Sequence, residues 1–193
     1  MKIYGDLNSG NCLKVKWVCD TLSLPYTWVA VDTMNGGSRT PEFLRLNAAG
    51  QVPTVVLDDG RALAQSNAII RYLARGSTLI PSDAFDAAKM DEWLFWEQYS
   101  HEPYIAVCRM QMLYLGKAVS DLDPEKIRRG YAALARMEHQ LAATRFLVGD
   151  QVTLADLALF AYTRVAHEGG FHLDGYGSIT RWIGDTEAAL GIQ

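Results

Sequence analysis

Three stretches of this chain carry residue types that hold a small ligand or activate a sulfur. The first is Leu7-Asn8-Ser9-Gly10-Asn11-Cys12. It leads into Val15, Val18, Cys19 and Leu22, spaced i, i+3, i+4, i+7 as on one face of a helix. The polar groups there have two uses. They can cap the helix, or Ser9 can donate a hydrogen bond to a bound sulfur anion. A free thiol has a pKa of roughly 8.5, so it is mostly protonated at neutral pH. Lowering it by roughly two units takes about 2.7 kcal/mol of preference for the thiolate. A charge-assisted hydrogen bond and the positive end of a helix dipole together supply a preference of that size.

The second stretch is Gln65-Ser66, ahead of Ala68, Ile69, Ile70 and Leu73. Ser66 reads as the N-cap of a helix. A helix start also presents free N–H groups and a positive dipole end, which suit an anion. A ligand carboxylate can take the N–H and hydroxyl of Ser66, with Gln65 holding a neighbouring amine. The third stretch is Val52-Pro53, at the head of a β-branched run. It reads either as an edge-strand proline or as a cis peptide that turns the Val52 backbone toward a ligand.

Other candidates are weaker. Cys12 at the helix start is a nucleophile or a small buried residue. There is no CxxC, and Cys12 and Cys19 stand seven residues apart, which is not a metal spacing. His101, His139, His167 and His172 are scattered, so no metal site is expected. Trp93, Trp96, Tyr99 and Tyr104 fall at helical spacing and read as core. Asp156 reads as the structural half of a capping box, Thr153-Leu154-Ala155-Asp156, whose side chain reaches back to the Thr153 backbone.

The elements that must position these residues follow from the pattern. Ile3-Tyr4-Gly5 and Thr27–Val31 read as strands on either side of the first helix, which makes them parallel. Thr40-Pro41-Glu42-Phe43 reads as N-cap, Pro at N1 and an acid in the first turn of a short helix. Residues 52–57 and 61–63 read as two strands joined by the Asp58-Asp59-Gly60 turn, hence antiparallel. The order β-α-β-α-β-β-α over residues 1–76 predicts a mixed sheet with helices on both faces. Residues 77–83 read as a linker. Residues 84–193 read as all-helical. One long periodic stretch runs from Ala84 to about Leu115, and a helix from Asp123-Pro124 reaches about Ala143. A third opens at the capping box, and the last lies near Ser178–Leu190.

Composition narrows the class. The chain has 193 residues, 49% hydrophobic and 21% charged, with a net charge of −4 and three cysteines. That is the mix of a folded globular protein with no nucleic-acid or membrane-surface signature. Sparse cysteines and the absence of an N-terminal apolar run point to a reducing, cytoplasmic setting.

Four motifs, in order, carry a resemblance: Ser9–Val15, Asn47-Ala48-Ala49-Gly50-Gln51-Val52-Pro53, Gln65-Ser66-Asn67-Ala68-Ile69 and Phe146–Asp156. Together they resemble cytosolic glutathione S-transferases, and among these a bacterial-like, serine-type (theta/nu-like) member. The resemblance implies a thioredoxin-like, glutathione-binding half with a mixed four-stranded sheet, followed by an all-helical half. It implies that Val52, before a cis Pro53, pairs by its backbone with the cysteinyl part of glutathione. Gln65 and Ser66 would grip the γ-glutamyl end, and Arg39 and Gln51 the glycyl carboxylate. Ser9 falls where serine-type members activate the thiol, with Asn11 as its rival. Glutathione enters as co-substrate, and no other cofactor is implied. A second, hydrophobic or electrophilic substrate would bind between the halves, with Tyr104, Arg109, Met112 and Leu113 as wall residues. The protein is expected to be a homodimer. Conjugation to an electrophilic carbon leads, with a glutathione-dependent disulfide or peroxide reductase and a non-catalytic scaffold as the other readings.

Overall fold

The computed structural model describes residues 1–192. The chain divides into two compact units, Met1–Ser77 and Thr78–Gln193.

The first unit contains strand β1 (Lys2–Gly5), helix α1 (Gly10–Thr21), strand β2 (Thr27–Ala30), helix α2 (Pro41–Leu46), strands β3 (Thr54–Val56) and β4 (Ala62–Ala64), and helix α3 (Ser66–Leu73). The four strands form one mixed sheet in the order β2-β1-β3-β4. β1 pairs parallel with β2 and antiparallel with β3, and β3 pairs antiparallel with β4. This is the predicted thioredoxin-like sheet.

Alternation along β1 sorts the helices to the two faces. Ile3 and Gly5 are buried, and a Cβ on Gly5 would stand 3.1 Å from the Cys12 sulfur of α1. Tyr4 points the other way and meets Phe43 of α2 edge-on, with ring centroids 6.2 Å apart. Helices α1 and α3 pack on each other, beneath a core of Val15, Val18, Cys19, Ile69 and Ile70. Thr40 caps α2 by accepting from the Phe43 N–H, with Pro41 at the first position.

The second unit is helical: α4 (Ala84–Trp96), α5 (Glu102–Leu115), α6 (Pro124–Ala143), α7 (Leu154–Thr163) and α8 (Gly177–Leu190). Every residue of α7 is buried. α6 begins with Asp123 accepting from the Glu125 N–H and Pro124 at the first position. At the head of α7 the capping box is fully formed. The Asp156 carboxylate accepts from the Thr153 N–H (2.9 Å), the Thr153 hydroxyl (3.0 Å), the Leu147 N–H (2.8 Å) and the Trp182 indole N–H (2.9 Å).

Two expectations are corrected. The stretch 84–115 is not one helix. A π-helical segment, Glu97–His101, separates α4 from α5. Pro103 explains the break, because it lacks the N–H that would bond the Tyr99 carbonyl and its ring crowds that carbonyl. One consequence is that Tyr99, read as core, is 82% exposed. Trp93, by contrast, is buried, and Arg136 lies over both it and Trp96. The second correction concerns α3. Its N-cap is Gln65, and Ser66 is the first residue inside the helix.

Candidate functional site

The register gathers the predicted residues of the first unit at one end of its sheet. β1 ends at Gly5, opposite the start of β3, because Tyr4 pairs with Thr54. β4 ends at the same place, since Thr54 also pairs with Ala64. The loop to α1 therefore leaves the sheet beside Val52-Pro53, and so does the turn into α3. The Val52-Pro53 peptide is cis, the second of the two readings its sequence allowed.

At this end the starts of α1 and α3 are joined directly. The Ser66 hydroxyl donates to the Asn11 side-chain oxygen at 3.0 Å. The same oxygen accepts from the Lys14 ammonium at 2.8 Å. Ser66 is buried, and Lys14 has no exposed surface at all. An ammonium only donates, so the Asn11 oxygen must face Lys14 and Ser66, which fixes the amide's orientation.

Ser9 is the N-cap of α1, and its side chain makes no capping bond. It hydrogen-bonds the Cys12 thiol instead. Burial pushes that thiol up to about 11, against the opposing hydrogen bonds from the Asp6 N–H and Ser9. Cys12 is thus the small buried residue, protonated at neutral pH, and not a nucleophile.

Gln65 adopts φ +70°, ψ 110°, a conformation rare for a residue with a Cβ. Holding it costs on the order of 1–3 kcal/mol, and such residues gather at ligand-binding places. Its side chain caps nothing in α3.

On the other side of Val52, the loop Asn47–Gln51 is tied down by side chains. Asn47 donates to the Gln51 carbonyl (2.9 Å) and to the Thr54 hydroxyl (3.1 Å), and accepts from the Ala49 N–H (3.1 Å). Arg39 donates to the Ala49 carbonyl at 3.1 Å. Its guanidinium lies against Gly50 so closely that a Cβ there would stand 2.5 Å from Nη1. Gly50 also has φ +61°, and it is this backbone conformation that requires glycine. Arg39 and Gln51 are thereby neighbours, both exposed, beside Val52.

Of the four residues expected on the second-substrate wall, Arg109, Met112 and Leu113 share one side of α5 at i, i+3 and i+4, while Tyr104 stands apart from Leu113. Tyr104 accepts from Arg129 of α6 at 2.9 Å. Arg109 pairs with Glu168, in the turn Ala166–Gly169, and Met112 lies near Gly170 just after it. Leu113 is half exposed. Tyr104 and Leu113 are nine residues apart on α5, which at about 100° per residue sets them on opposite faces. Periodicity alone did not say which face of α5 was outward.

Lys14 was missed in the sequence, where nothing distinguishes it from Lys16. The only signal is that Asn11, Lys14 and Val18 share a face at i, i+3, i+7. Asn47 and Thr54 were also missed, as groups that shape the loop carrying Gln51. Among the described residues, no group of three or more His, Cys, Asp or Glu side chains is placed to hold a metal.

Comparison with known proteins agrees with this geometry. Residues 8–75 match the glutathione S-transferase N-terminal domain, and residues 100–188 the glutathione S-transferase C-terminal domain. The chain is 33% identical to glutathione S-transferase 3 of Zea mays over 81% of its own length and 73% of the relative's. It is 28% identical to glutathione S-transferase GST-4.5 of Xanthomonas campestris over 100% of its own length and 98% of the relative's. A crystal structure of a glutathione S-transferase from Pseudomonas fluorescens superposes with a TM-score of 0.94 at 46% identity, covering 97% of this chain and 94% of that one. One from Xanthobacter autotrophicus gives 0.94 at 43% identity, with 100% and 95% covered. By both domain matches and by these relatives, the chain is a member of the glutathione S-transferase family.

Proposed function

We propose that this chain is a serine-type, theta/nu-like glutathione S-transferase that binds glutathione across the sheet end of its first unit and joins the sulfur to an electrophilic, hydrophobic small molecule. The γ-glutamyl carboxylate sits at the start of α3, on the Ser66 N–H, where the helix dipole favours an anion. Gln65 takes the neighbouring amine as a neutral acceptor. The Val52 backbone pairs with the cysteinyl part, and Arg39 with Gln51 meets the glycyl carboxylate. The sulfur then lies at the start of α1, between Ser9 and Asn11.

One observation carries this reading: the Ser66–Asn11 hydrogen bond, which puts an anion site and a candidate thiol site on adjoining residues. The chemistry needs no further group. The thiol proton leaves to solvent, the thiolate forms the new C–S bond, and the electrophile's leaving group takes the electron pair. Rate comes from holding the thiolate and placing the partners.

Calorimetry with glutathione tests the first step, and absence of measurable binding refutes the reading. Product analysis by mass spectrometry with a panel of electrophiles tests the second. One glutathione consumed per stable thioether supports conjugation, whereas two consumed with glutathione disulfide as product assigns a reductase.

The protein acts as a homodimer. Supporting this, Phe85, Phe95 and Tyr99, 72%, 77% and 82% exposed, line the outer side of α4 and its π-helical continuation. Such a patch is costly to leave in water. Sedimentation at micromolar concentration checks the state. No helix among the described residues is long and apolar enough to cross a membrane. The three free, buried thiols fit the reducing cytoplasm in which we place the enzyme.

A further inference from the structure

Asp6 stands between the end of β1 and Ser9. Its polar groups are used in four directions. One carboxylate oxygen accepts from the Asn8 N–H at 2.9 Å and the other from the Thr33 hydroxyl at 3.1 Å. Its carbonyl accepts from the Ser9 N–H at 3.0 Å, and its own N–H donates to the Cys12 sulfur at 3.4 Å. Ser9 hydrogen-bonds that same sulfur. Thr33 lies just past β2, where the Val31 N–H still donates to the Gly5 carbonyl at 2.9 Å. The turn that carries Thr33 is itself tight. Asp32 accepts from the Asn35 N–H (3.1 Å) and side-chain amide (2.7 Å), and the Gly37 N–H closes on the Asp32 carbonyl at 2.7 Å. A carboxylate is the wrong charge to set beside a sulfur anion, because like charges disfavour each other's ionised form. Burial pushes the Cys12 thiol up, and the Asp6 charge adds to that rise. Charge therefore gives no reason for Asp6 at this corner, and its hydrogen bonds do.

We propose that Asp6 is a positioning residue for Ser9: its two oxygens tie the loop that carries Ser9 to Thr33, at the end of the neighbouring strand, and so hold the serine hydroxyl where a bound thiolate can accept from it. This rests on the glutathione-binding reading above. Leu7 and Asn8 are exposed, so the loop gains little from burial and polar ties must fix it. A donor stabilises a developing anion only when its place is set beforehand, since ordering it during the reaction would consume the gain. Asp6 sets that place from both sides, by its carboxylate on Asn8 and Thr33 and by its carbonyl on the Ser9 N–H.

The test uses the full chain at saturating glutathione, with 1-chloro-2,4-dinitrobenzene as probe electrophile. Asp6→Ala removes both ties together with a negative charge. Loss of the charge alone would lower the thiol pKa in the kcat/KM profile and speed turnover at neutral pH. The expected result is the opposite, a pKa about half a unit higher and turnover about tenfold slower. Thr33→Val keeps the charge and the shape and removes one tie, so it should slow turnover about threefold. Asp6→Asn should keep most of the parent's profile. Its amide oxygen accepts from the Asn8 N–H, and its NH2 donates to the Thr33 hydroxyl, which accepts as well as donates. Glutathione affinity of all three should stay within about threefold of the parent's. In a Ser9→Ala background, Asp6→Ala should add less than about twofold, because the aspartate acts through the serine. If Asp6→Ala does not fold, Thr33→Val decides. An Asp6→Ala or Thr33→Val variant with the parent's profile overturns the inference, as does a lowered pKa in Asp6→Ala. So does an Asp6→Asn variant as slow as Asp6→Ala, or an effect that multiplies in full with Ser9→Ala. A parent that binds no glutathione refutes the proposed function and this inference with it. A binding parent that depends on Ser9 and is indifferent to Asp6 and Thr33 refutes only the role of Asp6.

Discussion

Helices α3 and α7 both begin at buried polar residues, and their first turns are completed in opposite ways. At α7, Thr153 and Asp156 answer the free backbone groups from within the chain, and Asp156 also ties in Leu147 and Trp182. Burial pushes the Asp156 carboxyl up, and four donors oppose that rise. At α3 the N-cap Gln65 sits at φ +70° with no capping bond from its side chain, and Ser66 spends its hydroxyl on another helix. A helix start that a protein completes for itself serves stability. One that it holds in a rare conformation, without a side-chain cap, is where the proposed function puts the γ-glutamyl carboxylate. The two polar N-termini thus offer a direct comparison within one chain.

The largest expected effect falls on α7. Asp156→Ala strands the Leu147 and Thr153 N–H groups and the Trp182 indole N–H in the core. At about 1–3 kcal/mol each, the loss should exceed 3 kcal/mol, much of a domain's total stability. Urea unfolding measures it, and glutathione affinity of the folded fraction should be unchanged. A variant that lost affinity while keeping its stability would break the comparison.

Ser66→Ala tests the other side. Glutathione binding should weaken about tenfold, read by calorimetry, with stability altered by less than about 1 kcal/mol. Thr153→Ala, the matching truncation at α7, should lower stability by about 1 kcal/mol and leave binding alone. Gln65→Gly sharpens the point further. Glycine accepts φ +70° without penalty, so stability should hold or rise by up to about 1 kcal/mol while affinity for glutathione falls. Stability gained together with binding kept would mean that the Gln65 conformation has no part in the site.

The smallest effect concerns the start of α1. Burial raises the Cys12 thiol to about 11 and the Cys19 thiol to about 12, from an ordinary value of 9.0. Both remain protonated in the folded chain after the unfolded chain has begun to ionise. Their contribution is intact below about pH 9 and is lost as pH rises through the folded values. Urea midpoints should therefore fall from near pH 9 upward, and Cys19→Ala should flatten that fall. Iodoacetamide at neutral pH should leave native Cys12 unmodified, which would separate this helix start from a nucleophilic one.

How much of this was legible in the sequence depended on how local each feature is. The capping box at Thr153 and the Asp-Pro and Thr-Pro helix starts depend on neighbours within one turn, and the structure holds them where the sequence put them. The break at Pro103 was there to be read, but the strong periodicity around it masked it. Gln65, at φ +70°, takes the cap position that the sequence pattern gives to Ser66, because a left-handed residue before a helix leaves no local signal in its residue type. The burial of Lys14 and not Lys16 depends on what packs against α1, which no window of α1 contains. The wall residues on α5 needed the outward face of that helix, and periodicity does not give its direction. Gathering Ser66, Asn11 and Val52 at one place is a property of strand register. Sequence order suggested it, and the pairing of Thr54 with both Tyr4 and Ala64 accomplishes it.

Gly50 bears on how this enzyme can be redesigned. Its missing side chain is the space that Arg39 occupies, and its backbone is in a left-handed conformation. A library that randomises this loop would draw few useful variants from this codon, because the left-handed φ penalises any side chain there, and shortening Arg39 leaves that backbone unchanged. Arg39, exposed at the end of a flexible stem, is the freer of the two positions. A walk by single substitutions passes through Arg39 and stops at Gly50.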